Sequence, residues 1–162
     1  MYKKYNKLTK TELEQVLQLG DEITFKRAAG SSRRVGLNGI KALSVYNYSK
    51  WFEWTNKQRE LYKTFFPAEV LPKVIQGWFL EIPPNSGFLD KMDYWIGKPL
   101  SGRVIATALR AQTIIIGDEA VRLKAGEQIG FSLETMHEIT KSTEGQLWAC
   151  VMFRGCYTEI DG

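Results

Sequence analysis

The chain contains a single histidine, His137, so any chemistry that needs an imidazole must use it. Glu127, Glu134 and Glu138 flank it, carboxylates able to take up a proton or to ligate a cation. A second group of acids lies upstream, where Asp90 and Asp93 bracket Lys91 in Leu89-Asp90-Lys91-Met92-Asp93. One imidazole with nearby carboxylates suits a divalent-cation site or metal-free acid/base chemistry of the isomerase or lyase sort. Other chemistries are excluded. A conventional zinc site lacks its second histidine, and Cys150 and Cys156 are not at ligand spacing. No G-x-S-x-G elbow offers His137 a serine nucleophile, and neither the Rossmann nor the Walker glycine pattern is present.

Cations available to hold an anionic ligand are Arg103, in Ser-Gly-Arg, and Arg154, just beyond an apolar run. Arg33 and Arg34 lie in AAGSSRRVGLNG, residues 28–39, a glycine-rich basic stretch able to wrap a phosphate. Its plainer reading is a surface loop. Lys50 and Lys57 stand near Trp51, Phe52 and Trp54, a mixture found in single-strand nucleic-acid binders and also in the apolar seal between a helix and a sheet.

The elements that must position these residues read as follows. Around the histidine, Ile129, Phe131 and Leu133 alternate with Gly130, Ser132 and Glu134, the period of a strand. Gly126 closes a turn before that run, and Glu144-Gly145 opens one after the histidine. IQGWFLEI, FLDKMDYW, RVIATALRA, QTIIIGDE and EAVRLKAG read as further strands, with Gly117-Asp118 a hairpin turn and Pro83-Pro84-Asn85-Ser86-Gly87 an emphatic break. Trp78, Phe79, Phe131 and Trp148 are the expected core rings. The first third differs. Thr9-x-x-Glu12 and Thr55-x-x-Gln58 are capping boxes, each opening a short amphipathic helix, one ending at Gly20 and the other by Pro67. Residues 22–28 and 40–48 read as strands. The expected organisation is one domain over 1–162: a helix-bearing part, 1–70, packed on a β-barrel core, 74–154.

Strand, turn, histidine at a strand mouth and a final apolar strand resemble the C-terminal half of a double-stranded β-helix. This is the jelly roll shared by cupins and iron(II)/2-oxoglutarate oxygenases, including aspartyl/asparaginyl β-hydroxylase-like members. The resemblance covers residues 74–154. It implies a mainly β fold with flanking N-terminal helices, and iron(II) and 2-oxoglutarate as cofactors. It also implies that His137 is the late metal-binding histidine and Asp93 the carboxylate of the family's His-x-Asp motif. Lys91 stands where that motif has its histidine, and an ammonium repels a divalent cation. Glu134, Glu138 or Asp90 would have to complete the ligand set. About ten residues beyond the late histidine the family places a basic side chain that pairs with 2-oxoglutarate. Here those positions are Gln146 and Leu147. Arg103 resembles the arginine of the family's Arg-x-His segment, with Ile105 in place of the histidine, and Arg154 is the other candidate for the co-substrate.

At 162 residues the chain is long enough to bury a core unaided by disulfides. Its 44% hydrophobic and 25% charged residues are those of an ordinary globular protein. A net charge of +4 is too mild to specify an anionic partner. No signal peptide or membrane span is legible, so a cytoplasmic location is the expectation. Three function classes follow: a jelly-roll oxygenase-like protein with a degenerate metal site; a non-catalytic module binding a protein or small molecule; and a nucleic-acid binder using Arg33 and Arg34. Compact size and degenerate motifs also suit a viral assembly component or inhibitor, though no single residue carries that expectation.

Overall fold

The computed structural model describes residues 2–25, 30–35, 41–48, 51–82, 88–91, 94–95, 98–99, 102–132, 135, 137–139 and 143–153. Side chains are described for 2–23, 51–82, 102–132, 135, 137 and 143–153. In chain order the elements are β1 (Tyr2–Lys4), α1 (Lys10–Gly20), β2 (Gly30–Val35), β3 (Lys41–Tyr48), α2 (Asn56–Lys63) and β4 (Val74–Ile82). Then follow β5 (Phe88–Lys91), β6 (Tyr94–Trp95), β7 (Lys98–Pro99), β8 (Arg103–Ala108), β9 (Gln112–Ile116) and β10 (Glu119–Leu123). β11 (Gln128–Ser132), β12 (His137–Ile139) and β13 (Gln146–Phe153) complete the set.

Two antiparallel sheets face each other. The major sheet runs β1-β11-β8-β13-β4-β3-β2 and the minor sheet β10-β9-β12-β5, while β6 and β7 pair separately. From β4 onward the chain passes back and forth between the two sheets, the winding of a jelly roll. Strand alternation sorts the major sheet into two faces. Inward residues Ile82, Val104, Ala106, Ala108, Ile129, Phe131, Trp148 and Cys150 pack with Ile114, Ile116, Val121 and Leu123 of the minor sheet. Outward residues Phe79, Ile105, Ala149, Val151 and Phe153 form a second core with Val16, Leu19, Trp54, Tyr62 and Phe66 of the N-terminal part. The helices therefore cover the back of the sheet whose front closes the barrel.

Both helices start as their caps require. Thr9 Oγ1 accepts from Glu12 N–H at 3.1 Å while Glu12 Oε1 accepts from Thr9 N–H at 3.0 Å. Thr55 and Gln58 repeat the exchange at 3.1 and 2.9 Å. α2 exists to deliver Tyr62. Its ring is fully buried, and its hydroxyl shares its one proton between the carbonyls of Trp78 at 2.9 Å and Cys150 at 2.8 Å, one on each of two paired strands. Gly77 makes this possible, because a Cβ there would lie 2.6 Å from the tyrosine ring. Trp54 stacks on Phe79 at 5.6 Å and meets the Tyr62 ring edge-on at 4.8 Å, the apolar seal of helix on sheet. Phe52, counted with that cluster on sequence, is 73% exposed and stands outside it.

Three sequence expectations are corrected. Within the expected strand 22–28, the described residues up to Phe25 are not extended: a π-helical turn, Asp21–Phe25, follows α1 and places Ile23 one turn beyond Leu19 on the buried face, while 26–28 lie outside the described residues. α1 ends at Gly20, as expected, but without the positive φ of a glycine stop, so the chain continues directly into that π-helical turn. Within 28–39, Gly30–Val35 forms β2, paired with β3 from Gly30↔Tyr46 to Val35↔Lys41. Its serines and arginines give no apolar alternation, since an edge strand is held by backbone bonds that sequence periodicity does not report. Finally, Phe79, Phe131 and Trp148 are buried but Trp78 only partly so. Among the described residues, Trp78 and Leu80 on the inward face of β4 are only partly buried against the inter-sheet core.

Candidate functional site

His137 is the first residue of β12, directly across from Ile116 of β9 on one side and Lys91 of β5 on the other. Partners in direct register share a face of the sheet. Ile116 belongs to the inter-sheet core, and the His137 ring lies 5.0 Å from that of Phe131 on the facing sheet. The imidazole therefore lies on the inner side of the minor sheet, 6% exposed. Its Nδ1 is 2.9 Å from the Thr135 carbonyl, which only accepts, so Nδ1 carries a proton. In the neutral ring the lone pair is then on Nε2, the arrangement in which an imidazole serves as ligand or proton acceptor.

The structure brings together His137 and position 91, and separates others. Arg103 opens β8 in register with Ser132 and Phe153, at the same end of the barrel as His137. Alternation places it with Ile105 and Thr107, on the helix-covered face rather than the interior, and it is 4% exposed. Glu138 follows His137 in the strand, in register with Ile115 of β9. Glu127 is a turn carboxylate: it accepts the Lys124 N–H at 2.6 Å and lies 4.0 Å from the Lys4 ammonium. Arg33 and Arg34, opposite Leu43 and Ala42, are in β2 at the edge of the major sheet far from β11. Asp93, Glu134 and Arg154 lie outside the described residues, as does Cys156. Cys150 is buried and forms no disulfide.

At the other end of the barrel lie Gln146, which stands at the expected co-substrate position, and Gln112, which was not singled out from sequence. Gln112 bonds both the N–H and the carbonyl of Leu147, and Gln146 bonds the Thr113 carbonyl and the Trp148 indole. A glutamine interrupting an apolar strand was the available signal, since a buried amide must find partners. On the side between β1 and β10, Tyr2 donates to Glu119 at 2.9 Å and ties the two sheet edges together.

The sequence matches no family model and no curated protein. The architecture matches solved structures along nearly its whole length. One is a prolyl hydroxylase from Trichoplax adhaerens in complex with a hypoxia-inducible factor peptide fragment. It is 9% identical, with a TM-score of 0.66 over 94% of this chain and 83% of that one. This chain has the double-stranded β-helix fold. A second similar structure is HygX from Streptomyces hygroscopicus with nickel and 2-oxoglutarate bound, at 10% identity and TM-score 0.64, covering 96% and 83%. A third is the epimerase SnoN in complex with Fe3+, alpha ketoglutarate and nogalamycin RO, at 14%, 0.63, and coverage of 99% and 84%. At such identities the likeness is one of fold.

Of the two-histidine, one-carboxylate set that the family resemblance implies, the described residues hold only His137. His137 has the tautomer and burial of a ligand, but the position facing it in the double-stranded β-helix is a lysine. An ammonium has no lone pair to give a cation. Among the described residues no three histidine, cysteine, aspartate or glutamate side chains come together as a metal site.

Proposed function

We propose that this protein is a binding module on the double-stranded β-helix, with an oxygenase-type metal centre that has degenerated. In this reading Asp93 and His137 are the surviving ligand positions, and the module engages a protein segment or small molecule at the His137 end of the barrel. The observation that carries it is the direct register of Lys91 with His137. Where a second imidazole would hold a metal, a cation stands instead. Partly covered inward residues Trp78, Leu80 and Met152 support a contact surface on the inward face. The peptide and nogalamycin complexes among the similar structures support a peptide or small organic molecule as the occupant. No helix among the described residues is long and apolar enough to cross a membrane.

A second reading has one observation in its favour. Anchoring of Nδ1 by a carbonyl is how metal-bound imidazoles are oriented, which suits a residual two-ligand site completed by Glu134 or Asp90. Anaerobic calorimetry with manganese(II) and iron(II), followed by an assay for succinate released from 2-oxoglutarate, separates the two. The binding-module reading expects no isotherm tighter than about 1 mM and no succinate. Saturable metal binding with succinate release would replace it by the enzyme reading.

A further inference from the structure

The end of the barrel away from His137 is closed by a set of buried amides. Gln146 is 2% exposed; its Nε2–H donates to the Thr113 carbonyl at 3.2 Å, and its Oε1 accepts the Trp148 Nε1–H at 2.8 Å. Gln112 Nε2–H donates to the Leu147 carbonyl at 2.7 Å, and Gln112 Oε1 accepts the Leu147 N–H at 3.1 Å. The Leu109 N–H shares that carbonyl at 3.0 Å. Gln112 and Thr113 belong to the minor sheet, Gln146 and Leu147 to the major, so both amides bond across the gap between sheets.

Both functional ends of Gln146 are thus committed to protein groups. The indole of Trp148, 1% exposed, occupies the adjacent interior among Ile82, Ala108 and Ile114. A dicarboxylate taken into this space would have to displace the indole and break the amide pairs. It would also meet no charged side chain among the described inward residues at this end, and a buried carboxylate without a cation is strongly disfavoured. We infer that this end of the barrel, where the fold's oxygenases anchor 2-oxoglutarate, is a permanent brace between the sheets and admits no dicarboxylate. The inference concerns the opposite end from Lys91 and His137, so it can fail or stand apart from the function proposed above.

The test titrates the full chain with 2-oxoglutarate, with and without manganese(II), following tryptophan fluorescence and heat. No saturable response up to several millimolar is expected. Saturation in the micromolar range would overturn the exclusion, whereas metal binding without a 2-oxoglutarate response would overturn only the previous reading. The brace itself is tested by Gln146→Met, which strands Trp148 Nε1 and the Thr113 carbonyl. Its thermal midpoint should fall by about 4 °C or more. A midpoint within a degree of wild type would refute the brace. Should Gln146→Met not fold, Gln112→Met cuts only the Leu147 pair and reports on the same closure by the same criterion.

Discussion

Tyr62 shows how one polar atom on a buried ring can fix a layer. Its hydroxyl bridges the carbonyls of Trp78 and Cys150, and burial, with the nearby Cys150 thiol, holds its pKa well above the usual tyrosine value. The folded protein keeps this phenol protonated while the unfolded chain releases the proton near its ordinary pKa of about 10. Stability from this group is therefore complete below that pH and is lost as pH rises through and beyond it. Tyr62→Phe should cost roughly 0.5–1.5 kcal/mol at neutral pH and flatten the alkaline loss, as read by urea unfolding at pH 7 and above pH 10. An unchanged alkaline slope would assign that loss to other tyrosines. At this scale the sequence was informative about His137, the one imidazole in the chain, at a strand mouth. It was silent on the face Arg103 takes, because that depends on which side of β8 the helices cover. It was equally silent on the partners of Gln112 and Gln146, which come from strands remote in the chain.

Among the elements, those defined by local chemistry were the most legible. Both capping boxes and the Gly117-Asp118 turn are read from a few adjacent residues, and all are present, with Gly117 at φ 63°. β4, β8 to β11 and β13 follow apolar runs bounded by turns. Elements set by context were not legible. β2 is polar and exists through its pairing with β3, and the π-helical turn after α1 is held by burial of Ile23 against the sheet. α2 is short, eight residues, and isolated helices of that length are unstable, so its cap and the Tyr62 anchor must both hold it. Thr55→Ala should lower stability by about 0.5–2 kcal/mol, and Thr55→Ser should restore most of it in chemical denaturation. Equal stability of the alanine and serine variants would mean that packing alone positions this helix.

The whole molecule is a barrel with two unlike ends. Amide pairs from Gln112 and Gln146 join the sheets at one, and Tyr2 and Glu119 link the edges along one side. At the other end β12 delivers His137 against β5, where position 91 answers it. Mainly β content with flanking helices was legible from turn spacing and strand period. The pairing of β12 with β5 was not legible from sequence, since residues 91 and 137 are far apart in the chain and joined only by the winding; the family pattern implied only that both stretches border one site. That juxtaposition is the centre of the account and can be tested by restoring what it lacks. Lys91→His places a second imidazole across the ladder from His137. Calorimetric titration with manganese(II) should show a saturable site in Lys91→His, absent from wild type and from Lys91→His combined with His137→Ala. Equal, negligible binding in all three proteins would contradict the account, leaving a double-stranded β-helix with no oxygenase-type centre at this position.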